Sequence, residues 1–155
     1  MTFKQIQDKV IHDYRVTINE HSTCYSRTHA HVKKRMICKW CAKNSIVSTF
    51  TLFHEIGHIE TTTSKMRRCE SEYYATVFAI DLCNKYNLMI PDKIIKEYQE
   101  YIDEEYARGI RRHGQNYPSL LELKLCKGTT TDREKWIASQ KQDEMIEAFT
   151  RYGVI

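Results

Sequence analysis

The stretch Phe50-Thr51-Leu52-Phe53-His54-Glu55-Ile56-Gly57-His58-Ile59-Glu60 constrains this chain more than any other. On a helix each residue advances about 100°, so His54 and His58 differ by only about 40° and project from one face. Two imidazoles so placed can grip one metal ion. Glu55 lies beside that face, where it can reach a water at the metal without serving as a ligand. An ordinary helix with two surface histidines would spell the same letters, so the neighbours decide. Phe50, Leu52, Phe53, Ile56 and Ile59 make the segment apolar enough to be buried with its polar residues turned to a cleft. Gly57 costs about 1 kcal/mol in a helix interior relative to Ala, which close packing against a second element would explain.

A suitable third ligand follows. Tyr74, Val77, Phe78 and Leu82, with Ala75 and Ala79, repeat at helical spacing, and Glu72 falls in the first turn of that segment. The 13 residues between His58 and Glu72 are enough to end one helix, turn through Thr61-Thr62-Thr63-Ser64 and start another packed back on the first. Two imidazoles and a carboxylate leave a fourth position open for water, as in catalytic zinc sites. We therefore expect one zinc ion on His54, His58 and Glu72, with Glu55 as general base.

These residues resemble a known family. Phe50-Thr51-Leu52-Phe53-His54-Glu55-Ile56-Gly57-His58, followed by Glu72-Tyr73-Tyr74-Ala75-Thr76-Val77-Phe78-Ala79, is similar to the F-T-x-x-H-E-[IL]-G-H and E-x-x-A-[ND]-x-F-A patterns of the ImmA/IrrE metallopeptidases. The resemblance spans roughly residues 46–91. Thr76 stands where the family has Asn or Asp, and Asn87-Leu88-Met89-Ile90-Pro91 is a stretched form of its L-L-M-P ending. The resemblance implies a phage or mobile-element protein, or one acting in a stress response. Such proteins cut a separate helix-turn-helix transcriptional repressor.

At 155 residues, with 41% hydrophobic residues, the chain is expected to form one α+β domain: a mainly helical zincin-like fold with a small sheet beside the H-E-x-x-H helix. Residues 46–91 would carry the active-site helices and residues 92–155 a helical C-terminal extension. Charges in residues 1–9 leave no apolar signal-peptide core, and no run approaches about 18 apolar residues. A cytoplasmic protein with no membrane partner is expected, and its six cysteines are expected to be reduced thiols. Cys83 reads as core packing, and so does Cys126, at the end of an apolar run.

Residues 2–14 read as an amphipathic helix with Phe3, Ile6, Val10, Ile11 and Tyr14 on one face, and Val16-Thr17-Ile18 as a strand. Residues 35–41 alternate as a strand with Met36, Cys38 and Trp40 on one side, and Ile46-Val47 reads as the start of another. By analogy with zincins that hold extended substrate as an added strand, Met36, Cys38 and Trp40 are the candidate substrate edge. His29, His31, Cys38 and Cys41 could in principle hold a second, structural zinc. One C-x-x-C beside an H-x-H is a weak ligand pattern, so a second ion is not expected.

Residues 21–54 contain no acidic side chain, yet hold Arg27, Lys33, Lys34, Arg35, Lys39 and Lys43. This basic segment 27–43 would suit an acidic partner surface, and a net charge of +4 is too modest to predict nucleic-acid binding. Residues 92–112 read as a helix with Ile94, Ile95, Tyr98, Tyr101, Ile102 and Tyr106 inward. His113 and Tyr117, in the polar stretch that follows, are candidate oxyanion donors should it fold over the cleft. Thr131-Asp132-Arg133-Glu134 has capping-box spacing. It introduces a helix whose Trp136, Ile137, Gln140, Met145, Ile146 and Phe149 are expected to dock on the body. The expected activity is zinc-dependent endopeptidase cleavage of a protein partner. The alternative keeps the zincin scaffold but acts by binding, as an antirepressor or an inhibitor of a host defence protein.

Overall fold

The computed structural model describes residues 1–19, 28–113, 119–128 and 130–151. The first helix, α1 (Phe3–Asp13), starts at a capping box in which Thr2 accepts from the Gln5 amide and the Gln5 side chain accepts from the Thr2 amide. It buries Ile6, Gln7 and Val10. Strands β1 (Thr17–Asn19), β2 (His29–His31) and β3 (Met36–Cys38) form a sheet of order β1-β3-β2, with β1 parallel and β2 antiparallel to β3. Then come α2 (Ile46–Thr61), α3 (Arg68–Lys85), α4 (Asp92–His113), a single 3-10 turn (Leu120–Leu123) and α5 (Thr130–Arg151). This is the expected mainly helical α+β fold, its small sheet packed on α2 through β2.

Ile46-Val47 opens a helix, not a strand. Ser45 decides this by accepting a hydrogen bond from the Ser48 amide, which satisfies one of the donors a helix start leaves free. Phe50, Leu52, Phe53 and Ile56 are completely buried, so α2 is covered on nearly every side and forms the centre of the core. Its main neighbour is α3. A Cβ added at Gly57 would lie 2.5 Å from the Ala75 carbonyl oxygen and 2.8 Å from its Cα. The glycine thus lets the two helix backbones touch.

On the sheet, Ile18, Ala30 and Ile37 face this core. Arg35, at the head of β3, donates to the Tyr14 carbonyl at 2.6 Å and pairs with Glu60 near the end of α2. The Trp40 indole donates to the Ser48 carbonyl at 2.9 Å, clamping the chain after β3 onto the first turn of α2. At its far end α3 stops where Asn87 takes a left-handed φ of 53° and the Leu88 amide reaches back to the Cys83 carbonyl at 2.8 Å. The chain then returns as α4 across α3.

Three expectations need correction. Met36 and Cys38 lie on the central strand, whose two sides are already paired, so they offer no free edge to a substrate, and Trp40 is committed to α2. Cys38, Cys69, Cys83 and Cys126 are free thiols, but Cys41 is disulfide-bonded. Lastly, α5 docks only in part. Thr130 donates to Asp81 at 2.6 Å, Arg133 lies over the Tyr73 ring, and Trp136, Ile137 and Gln140 are half-buried, but Met145 and Ile146 are 51% and 46% exposed. A helix of 22 residues extends about 33 Å and outruns the surface it leans on. The Phe149 side chain and Tyr117 lie outside the described residues, and no helix among those described is long and apolar enough to cross a membrane.

Candidate metal centre

Where α2 and α3 touch, three donor atoms converge. His54 Nε2 lies 3.1 Å from His58 Nε2 and 3.2 Å from Glu72 Oε2, and His58 Nε2 is 3.3 Å from that same oxygen. These spacings come from the helical offset of four residues between the histidines and from the backbone approach that Gly57 permits. The centre is buried, with His54 and Glu72 only 4% and 2% exposed.

The proton positions follow from the outer contacts. The Thr76 hydroxyl donates to the Glu72 carbonyl at 2.7 Å, and its oxygen lies 3.1 Å from His54 Nδ1. Its one hydrogen is spent on a group that can only accept, so Nδ1 must carry the hydrogen of the Thr76–His54 contact. In neutral His54 that leaves Nε2 as a bare lone pair aimed inward. His58 Nδ1 lies 3.1 Å from Ser71 Oγ, which is itself 2.8 Å from Thr62 Oγ1, so this ring too has a hydrogen-bond partner on its outer nitrogen. Burial lowers the pKa of His54, favouring that neutral form. Burial also opposes the charge on Glu72, but a hydrogen bond from whichever imidazole carries a proton on Nε2 outweighs this and holds the carboxyl well below the ordinary carboxylate range.

Three ligand atoms thus converge on one place, where a shared proton or a cation would relieve their mutual repulsion. A tetrahedral ion with bonds of about 2.0 Å would place its ligands about 3.3 Å apart, close to the separations seen. The donor set of two imidazole nitrogens and one carboxylate oxygen therefore fits zinc; Thr76 holds the His54 ring in the tautomer that zinc requires, and Ser71 orients the ring of His58.

The centre opens on a cleft of about 660 Å3. Glu55 lines it at 7% exposure; burial, reinforced by the Glu72 charge and opposed by Arg68, pushes its carboxyl up to about 8. Arg68, one turn before Glu72, pairs with the second Glu72 oxygen at 2.9 Å and donates to the Tyr101 hydroxyl at 3.4 Å. Tyr98 packs its ring 4.8 Å from that of His54, and burial of its hydroxyl pushes the pKa up to about 12, so it remains a donor at any physiological pH. On the other side β2 borders the cleft through His29 and Ala30. Among the described residues β2 pairs with β3, and it is β2, not Met36, Cys38 and Trp40, that borders the cleft.

His54, Glu55, His58 and Glu72 therefore meet as the spacing predicts. His113 does not join them: it is exposed at the end of α4 and lines a separate small pocket with Arg108 and Arg112. Tyr98 and Tyr101, read from sequence as core, occupy the cleft instead. Arg68 carried a signal in its four-residue offset from Glu72, and Thr76 one in its place in the two-helix pattern; Thr62 and Ser71 carried none beyond being polar. No protein-family model, curated protein or solved structure matches the chain, so the chemistry rests on this geometry.

Proposed function

We propose that the chain is a zinc-dependent endopeptidase that cleaves a specific protein partner. The observation that carries this reading is the convergence of His54, His58 and Glu72 beside the buried carboxyl of Glu55, in a cleft bordered by β2. A zinc ion on these ligands would supply Lewis acidity, bringing the pKa of a water toward about 7 and polarising a carbonyl. The positive charge of the ion would offset the burial that raises the Glu55 pKa, so Glu55 ionises, takes the proton of the attacking water and returns it to the leaving amine. The Tyr98 hydroxyl, held protonated, donates to the oxygen that gains negative charge. The cleft between β2 and the tyrosines of α4 receives the substrate in extended form.

The resemblance to ImmA/IrrE metallopeptidases supports a cytoplasmic protein of phage or mobile-element origin, acting as one catalytic domain on a helix-turn-helix repressor. The basic side chains of residues 28–43 would favour an acidic surface on that partner. Co-expression with the products of neighbouring genes tests the reading: a fragment should form with the native chain and not with Glu55→Gln, which should keep its zinc. A Glu55→Gln variant that still relieves repression would establish the binding-protein alternative in its place.

A further inference from the structure

We propose that His29, His31 and Cys38 hold a second zinc ion on the face of the sheet opposite Ala30 and Ile37. Sequence spacing alone argued against a second ion, because it set a lone C-x-x-C beside an H-x-H. Register alters that judgement. His29 and His31 are two residues apart on β2 and so share a face, and His29 is the cross-strand partner of Cys38 on β3, which places the thiol on that face too. One donor atom from each of the three lies within 4.8 Å of the other two, and the imidazole rings meet edge to face with centroids 5.3 Å apart. Cys41 drops out of the set because it is disulfide-bonded.

Zinc with nitrogen and sulfur ligands needs donor separations of about 3.3–3.8 Å. His31 is exposed at the surface, so rotation about its side-chain bonds shortens the separation without moving the strands. Cys38 is buried at 4% exposure, and Asn19, its neighbour on β1, directs Nδ2 at the sulfur from 3.8 Å. An N–H aimed at sulfur stabilises a thiolate and orients it, as hydrogen bonds around metal ligands commonly do. The remaining side chains that register brings to this face are Met36, opposite His31, and Thr17, opposite Met36. Imidazole, thiolate and thioether donors with no carboxylate select a thiophilic ion over magnesium or calcium.

The ion would fasten β2 to β3. Since β2 is the strand that borders the catalytic cleft, zinc here would hold the cleft's rim while taking no part in the chemistry at His54, His58 and Glu72.

The test is to strip the full chain of metal without reductant, dialyse it against Zn2+ or Mg2+, and count bound ions. A parallel sample takes Co2+, whose thiolate complexes absorb intensely in the near ultraviolet, whereas a two-histidine, one-glutamate centre contains no sulfur and does not. The native chain should bind two zinc ions, no magnesium, and show the cobalt absorption. Cys38→Ser and His31→Ala should each bind one zinc and lose the absorption; Glu72→Ala should bind one and keep it. His31 is exposed, so its variant decides the matter even if replacing the buried Cys38 harms folding. A native stoichiometry of one with no cobalt absorption overturns the proposal, as does an absorption that survives His31→Ala.

Discussion

Thr76 shows how one hydroxyl can set the state of a metal ligand. Asn or Asp at this place in the ImmA/IrrE pattern would offer an oxygen; Thr76 offers a shorter one, and its hydrogen bond to the Glu72 carbonyl turns the remaining lone pairs toward His54. Thr76→Val keeps the shape and removes the oxygen. His54 Nδ1–H then lacks a partner in a fully buried position, and the ring is free to adopt the wrong tautomer. Zinc affinity should fall about 10- to 100-fold with little change in helix content, measured by competition against a chelator and by circular dichroism. Unchanged affinity would mean that packing alone orients the ring. The ligands themselves were readable in sequence because a four-residue offset puts the histidines on one face whatever the tertiary structure. The roles of Thr76, Ser71 and Thr62 were not, since they depend on how far apart the two helices lie and how they are rotated.

Among the elements, the contact between α2 and α3 governs the site, and Gly57 sets its distance. Gly57→Ala would gain up to about 1 kcal/mol in helix propensity, but the new methyl meets the backbone of Ala75 at 2.5 Å, and a helix carbonyl cannot rotate aside. Overpacking of this kind costs about 1–3 kcal/mol, so the clash should prevail and the fold should lose about 1–2 kcal/mol. Zinc binding should suffer disproportionately, because spreading the helices draws Glu72 away from both histidines. Thermal unfolding and zinc titration of the same sample separate these effects; a variant as stable as the native chain with native affinity would show that the helices tolerate the added methyl. Helices were legible from periodicity because their hydrogen bonds are local. The sheet was not, for β2 is only His-Ala-His, too short to show alternation, and the central place of β3 depends on its pairing with β1, a strand distant in sequence. Apolar spacing also misled over α5, where Met145 and Ile146 continue the stripe of Trp136 and Ile137 beyond the surface that could cover them.

For the molecule as a whole, the metal centre and the hydrophobic core are built on the same two helices. The residues beside the ligands, Phe53 and Ile56 on α2 and Tyr73 and Ala75 on α3, are 0–1% exposed. The ligand geometry therefore exists only when the core is assembled, and an ion that binds the folded chain alone must stabilise it. At free zinc about 100-fold above the dissociation constant, the gain is about 2.7 kcal/mol, which for a chain of this size raises the melting temperature by about 5–10 °C. Adding a chelator should reverse the rise. Glu72→Ala should forfeit the share due to this centre, and His31→Ala should keep that share, since it leaves α2 and α3 untouched. Zinc that bound without raising the melting temperature of the native chain would have to bind the unfolded chain equally well, which a centre assembled by helix packing cannot do.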